Sequence, residues 1–537
     1  MKIKDFSWAF LLGLAMAGMA VNSNAQAPSR PNSGLKQTAY IKASNTRAGS
    51  QFGSGGTLLG DSVALSSDGN TLAVGAPMES SAGKGINGNQ TDDTAYDAGA
   101  VYVFTRNGGT WKQQAYVKAS NTRHSSHFGN VVRLSGDGNT MAVAAYFESS
   151  AAKGINANQD DESIPQAGAV YVFTRRGSTW TQQAYIKASN TGEAGKGDAL
   201  NDGDQFGFSL GLSDDGNTLA VGAIGEDSAA SGINGDQNDN SLPSAGAVYV
   251  FTRSGGTWSQ QAYVKPSNPD ATDLFGYSVA LAADGNMMAV GSFDEDGSPV
   301  PYNGVPDNKV DGSGAVYIFG RSGTTWTQQA YLKASNGERQ DSLGVSVAIS
   351  LDGNTVVSGA LDEDCLCTGV NPRDSQGNLL GGNDERSDTS AGAVYVFVRN
   401  GVAWTQQAYI KASNTGKEDW FGSRLALSGD GNTLVVGAQL EDSAAKGVNG
   451  KQDDESAQEA GAVYIFTRTG DTWKQQYYVK GSNTEAFDEF GSSMSVSRDG
   501  RIIGVGARNE ASATKGVNGN QADNSAPEAG AVYIFGY

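Results

Sequence analysis

The sequence predicts an all-β fold: a seven-bladed β-propeller of four-stranded antiparallel blades, closed by an N-terminal strand that completes the last blade. Three observations carry this expectation. A two-residue marker recurs seven times, at Phe52-Gly53, Phe128-Gly129, Phe206-Gly207, Phe275-Gly276, Leu343-Gly344, Phe421-Gly422 and Phe490-Gly491, with spacings of 68 to 78 residues. Each interval holds four runs of strand character separated by turn signals. The run that ends each unit also appears at Ala39-Tyr40-Ile41-Lys42, ahead of the first marker, while the last unit stops on its third strand, Gly530 to Phe535. Lys36 to Ala43 can therefore supply the missing outer strand and shut the ring, which an open solenoid has no use for.

Repeat three shows the elements in order. Gln205-Phe206-Gly207 opens the first strand, Ser209 to Ser213. Asp215-Gly216-Asn217 is a tight hairpin, because glycine accepts positive φ without steric cost. Thr218 to Ala223 returns as the second strand, a long polar loop runs from Ile224 to Ser244, and Gly246 to Thr252 forms the third. A turn at Arg253 to Gly256 leads into the fourth strand, Trp258 to Lys265. Strands one to three are apolar on both sides, as suits a blade sandwiched between blades. The fourth is more polar, with Gln113, Gln114 and Lys118 in the first copy. It is expected at the exposed outer edge, where lysine discourages edge pairing.

Composition agrees with one large ring. Gly is 73 of 537 residues, about twice the usual ~7%, and Pro is only 12. The formal net charge of −19 argues against a nucleic-acid partner, which needs a basic stripe. Residues 1–25 have the n-region, apolar run and small-residue cleavage site of a secretory signal, and 26–35 read as a short linker before the propeller at 36–537. A secreted or periplasmic monomer without a membrane anchor in its mature chain is expected. Cys365 and Cys367 are separated by one residue. Closing so small a ring is strained, so free thiols are the expectation.

The Phe52-Gly53, Gly75-Ala76-Pro77 and Gly99-Ala100-Val101-Tyr102-Val103-Phe104 segments resemble the FG-GAP repeat of the integrin alpha-chain propeller and its bacterial relatives, over essentially all of residues 36–537. The resemblance implies a seven-bladed propeller and extracellular adhesion or ligand binding, and it does not imply an enzyme. Integrin-type repeats often carry a calcium loop between strands one and two. Here that hairpin is Ser67-Asp68-Gly69-Asn70-Thr71, too short and too poor in carboxylates, and it is read as turn chemistry.

Oxygen ligands accumulate instead in the loop between strands two and three. A meander places these loops and the four-to-one connections on one face of the ring. In repeat three the loop holds Glu226, Asp227, Asn234, Asp236, Asn238 and Asn240, a set of alternating oxygen donors suited to calcium and equally to Asx turns. Five connections place an acid two residues before the marker: Asp204, Asp273, Asp341, Asp419 and Asp488. These are expected on the ligand face. Arg106, Arg175, Arg253, Arg321, Arg399 and Arg468 follow the third strand and belong near the opposite face.

No catalytic constellation stands out. The two histidines, His124 and His127, are spaced i, i+3 without a fixed third ligand, and carboxylate pairs are too common across repeats to mark one site. The expected function is non-enzymatic binding or adhesion: a protein or glycan ligand recognised through the acidic loop-rich face, with calcium as the one cofactor under consideration. The alternatives are a lectin-like module using exposed aromatics such as Tyr96, Phe147 or Tyr302, and a hydrolase or lyase using propeller-top carboxylates.

Overall fold

The computed structural model describes residues 34–55, 60–192, 203–299, 304, 306–381 and 389–537. The segment read as a secretory signal and Tyr302 lie outside them. Seven four-stranded antiparallel sheets form the propeller, each with its strands in chain order except the last. In blade 1 the strands are Val63–Leu65, Thr71–Ala76, Ala100–Asn107 and Thr110–Val117. Blade 7 uses Phe490–Val496, Ile502–Ala507 and Ala531–Gly536, and takes Lys36–Ile41 as its outer strand. Tyr40 pairs with Tyr533 and Ile41 with Val532 across that seam.

Two glycines explain the markers. Gly53 has φ +84, and a Cβ there would meet Val532 at 2.7 Å. Gly99, which opens the third strand, has φ +82, and its Cβ would lie 2.1 Å from the Phe128 carbonyl of the next blade. Only glycine allows that approach. Phe128 is itself buried, its ring edge-on to Tyr171 and Phe173 of its own blade at 5.3 and 6.1 Å. Its amide bonds back to the Ala98 carbonyl of blade 1. Each marker thus pins a four-to-one connection to the preceding blade's long loop, so these segments share one face, as the meander requires.

The opposite end carries the short turns. There the residue before each Asp-Gly turn donates its amide to the corresponding carbonyl of the next blade: Ser67 to Gly136, Gly136 to Asp214, Asp214 to Ala283, Ala283 to Leu351, Leu351 to Gly429, Gly429 to Arg498, and Arg498 back to Ser67. This closed circle of seven backbone hydrogen bonds, 2.8 to 3.1 Å long, joins every blade to the next at that end. The arginines after strand three also lie here. Arg253 donates to Asn217 of its own blade and to Gln183 and Thr140 of blade 2, while Trp258 donates to the same Gln183 oxygen at 2.9 Å. Arg253 sits 5.2 Å over the Trp258 ring. Arg175, Arg321 and Arg468 repeat this clamp.

Two expectations are corrected. The lysine at the end of strand four is not on an exposed edge: Lys118 is fully buried, 2.8 Å from Glu79. Its polarity serves an internal partner rather than solvent. Cys365 and Cys367 are not free thiols; their sulfurs are bonded to each other, in the long loop of blade 5.

Candidate functional site

Beneath the long-loop face, every blade holds the same buried unit. The glutamate that opens the two-to-three loop meets the lysine that ends a fourth strand: Glu79 with Lys118, Glu148 with Lys187, Glu226 with Lys265, Glu295 with Lys333, Glu363 with Lys411, Glu441 with Lys480, and Glu510 with Lys42. In blade 3, Glu226 also accepts from Tyr263 (2.7 Å), Asn190 (3.1 Å) and the Ser228 amide (3.2 Å). Burial lowers the Lys265 pKa from the ordinary lysine value, with the Glu226 charge opposing. A buried ion pair is tolerable when its remaining donors and acceptors find partners, and Glu226 accepts from three groups besides the ammonium. Sevenfold repetition of a closed, solvent-free unit is what an architectural device looks like.

This places the calcium candidates. Glu226 is committed to the Lys265 ammonium. Asp227 accepts the Ser244 amide at 2.8 Å. The Asn234 side chain accepts the Tyr263 amide at 2.9 Å and Asp236 that of Asn238 at 3.0 Å. Asn234, Asp236, Asn238 and Asn240 are exposed. The Asp236 bond is that of an Asx turn, whereas the Asn234 bond ties the loop to strand four. Among the described residues, no group of three or more His, Cys, Asp or Glu is disposed to hold a metal ion.

The five acids expected on the ligand face are not at the surface: Asp204, Asp273, Asp341, Asp419 and Asp488 are all buried. Each turns inward because its carboxylate caps the connection that precedes it. Asp273, for instance, accepts the Asp270 amide at 2.8 Å, and Asp341 that of Glu338 at 2.7 Å. Burial pushes the Asp273 and Asp341 carboxyls up to about 8 and those of Asp419 and Asp488 to about 7. Asp204 lies well above the usual carboxylate value, through burial and then the Glu226 and Asp227 charges.

The histidines separate. His127 is buried against Phe147 (4.7 Å) and Tyr146 (5.8 Å), and burial lowers its pKa to about 4. His124 is exposed and lies 5.7 Å from the Tyr96 ring, itself 59% exposed. His124 lines a cleft of about 740 Å³ between blades 1 and 2, with Lys84, Arg123, Asn158, Asp160 and Glu162.

Sequence reasoning missed the centre of the ring. The first strands line the channel, and two of their small residues are replaced by arginine. Ser62, Ser209, Ser278, Ser346 and Ser493 occupy one register position that is Arg424 in blade 6; Ala64, Gly211, Ala280, Ala348, Ala426 and Ser495 occupy another that is Arg133 in blade 2. Blade 1 also has fifteen residues between Phe52 and Asp68 where the other six repeats have eight between the marker and the hairpin Asp. That insertion ends on Asp61, 2.7 Å from Arg133 and 3.7 Å from Arg424. An arc of rings, Phe147, Tyr146, Phe208, Tyr277 and Phe293, joined at 4.1 to 5.9 Å, lines the same region across blades 2 to 4. Aligning the repeats strand by strand would have exposed both arginines and the insertion.

The fold and site define a seven-bladed propeller with a symmetric buried frame and an asymmetric centre and loop face. The FG-GAP repeat family model matches residues 258–319, 326–376 and 404–466, so the chain carries FG-GAP repeats in three places within its seven-bladed propeller. No curated protein matches. Solved structures of similar shape include a putative 6-phosphogluconolactonase from Bacteroides uniformis (10% identity, TM-score 0.40, covering 78% of this chain and 85% of that one). Others are the periplasmic gluconolactonase of Pseudomonas aeruginosa (15%, 0.43, 79% and 86%) and hydrazine synthase of Kuenenia stuttgartiensis (12%, 0.43, 84% and 93%). At such identities and scores these likenesses assign no activity.

Proposed function

We propose that the protein is a secreted or cell-surface binding propeller, not an enzyme, that recognises an extracellular protein or glycan through its long-loop face. The observation that supports this reading is a division of labour. The Glu–Lys pair repeated in all seven blades beneath this face is buried and closed on itself, whereas the loop tips that differ between blades expose acids such as Asp93, Asp160, Glu162 and Asp236. A rigid frame presenting variable loops is how scaffolds carry recognition. Calcium, under this reading, acts at the exposed tips and not at the buried glutamates. Binding of the mature protein to a panel of matrix proteins and glycans, with and without calcium, tests the proposal. Loss of binding on charge reversal at the tips is expected; turnover of a substrate panel abolished by His127→Ala would overturn it.

One observation favours the glycan within that pair. Tyr96 offers an exposed ring beside a cleft lined with Lys84, Arg123, Asn158, Asp160 and Glu162, and an aromatic platform flanked by polar groups suits a sugar's apolar face and hydroxyls. Tyr96→Ala should abolish glycan-array signals; an unchanged array would remove this reading.

A further inference from the structure

The central channel holds charge that its symmetric surroundings do not explain. Arg424 is 4% exposed. Its Nε donates to the Ser492 carbonyl at 3.0 Å and its Nη1 to that of Ser423 at 2.8 Å, while Nη2 has no acceptor among the described residues. Arg133 donates to Asp61 and to the Val132 carbonyl. Asp61 is the one carboxylate among the described residues lining the chamber, against two guanidinium groups. The nearby Arg508 is already matched by Glu489 at 2.6 Å. The chamber therefore carries one positive charge in excess, inside a chain whose net charge is −19.

Apolar side chains make up part of its wall. Phe208, Tyr277, Val131, Val279, Val345 and Leu425 line the space. The hydroxyls of Ser209, Ser278 and Ser346 are turned away onto the carbonyls of Gly276, Gly344 and Gly422. Asp61 is shared, 2.7 Å from Arg133 and 3.7 Å from Arg424, so one carboxylate serves two guanidinium groups, and low-dielectric walls strengthen the field of the charge left over. The unfilled volume is about 30 Å³, where a water needs roughly 10–15 Å³ on the same measure. That admits one small ion and excludes a sugar or a peptide.

We propose that this chamber binds a single small monovalent anion of halide type between Arg424 and Arg133, with Asp61 holding Arg133 in place. The site is independent of the reading of the loop face. Bound there, the ion supplies the acceptor that Arg424 Nη2 lacks and ties blades 2 and 6 across the ring.

The test uses the mature protein at constant ionic strength, with gluconate exchanged for chloride or bromide. A melting temperature that rises and saturates with halide is expected, together with an anomalous bromide peak beside Arg424 in soaked crystals. Arg424→Ser installs the residue that five blades already carry at this position, so the ring should fold; it should lose both the peak and the halide response. Identical melting in gluconate and bromide with no peak would overturn the proposal. So would an Arg424→Ser variant that keeps the response, or a response to formate but not to bromide.

Discussion

The two ends of the ring are built by different rules. At the short-turn end the backbone circle through Ser67 and Gly136 joins every blade to the next, and the Arg–Gln–Thr–Trp clamp seen at Arg253 recurs at Arg175, Arg321 and Arg468. At the long-loop face only the floor is uniform. The Glu–Lys units recur in all seven blades, but above them blade 1 places Tyr96, blade 3 a run of Asn and Asp, and blade 5 a disulfide. Repetition marks what holds the ring together, and divergence marks where we propose that a ligand is met. The centre belongs with the divergent part, since Arg133, Arg424 and Asp61 each occur in one blade.

That contrast can be broken by experiment. The largest effect is expected from the floor. Lys265→Met strands the Glu226 carboxylate in a dry site and should cost about 3–5 kcal/mol by chemical denaturation, while pairing it with Glu226→Leu should recover much of the loss. If the single variant cost less than ~1 kcal/mol, the units would not be the frame.

Next comes the ring of buried acids. The Asp273 carboxyl sits at about 8 when folded against about 3.9 in an unfolded chain. The folded state therefore holds the extra proton between these values, and stability is lost as pH rises through that window. Asp273→Asn should gain on the parent by a few kcal/mol as pH goes from 5 to 9, read as a widening gap in melting temperature. A constant gap would show the carboxyl to be ionised throughout.

The short-turn clamp should respond less. Gln183→Ala removes one acceptor shared by Arg253 and Trp258 and should cost about 1–3 kcal/mol. At the tips, Asp236→Ala should change stability by less than ~0.5 kcal/mol and be felt only in calcium titration or ligand binding. A large stability loss there would place the loop tip in the frame.

Much of the ring was legible before any coordinates. The Phe-Gly markers, the Asp-Gly turns and the displaced strand at Ala39–Lys42 fixed blade number, meander and closure, because each is a local signal repeated seven times. The site was less legible. Lys118 looks like an edge-strand lysine, since the glutamate it meets lies 39 residues upstream. The same separation joins Glu148 to Lys187 and Glu226 to Lys265, and that shared register was the available clue. Asp273 and its counterparts look like surface acids until the connection folds them over their own backbone amides.

Sequence alone determined the architecture of this protein, because periodic turn and strand chemistry is read within a few residues. Only the tertiary structure decided which charges face solvent and which face each other. Glu226 and Lys265 become one unit, and Arg133, Arg424 and Asp61 converge on one chamber, only when strands from separate blades are brought to a common axis. Burial and distance, which set whether a charge is a ligand or a strut, are properties of the closed ring and of no single stretch of chain.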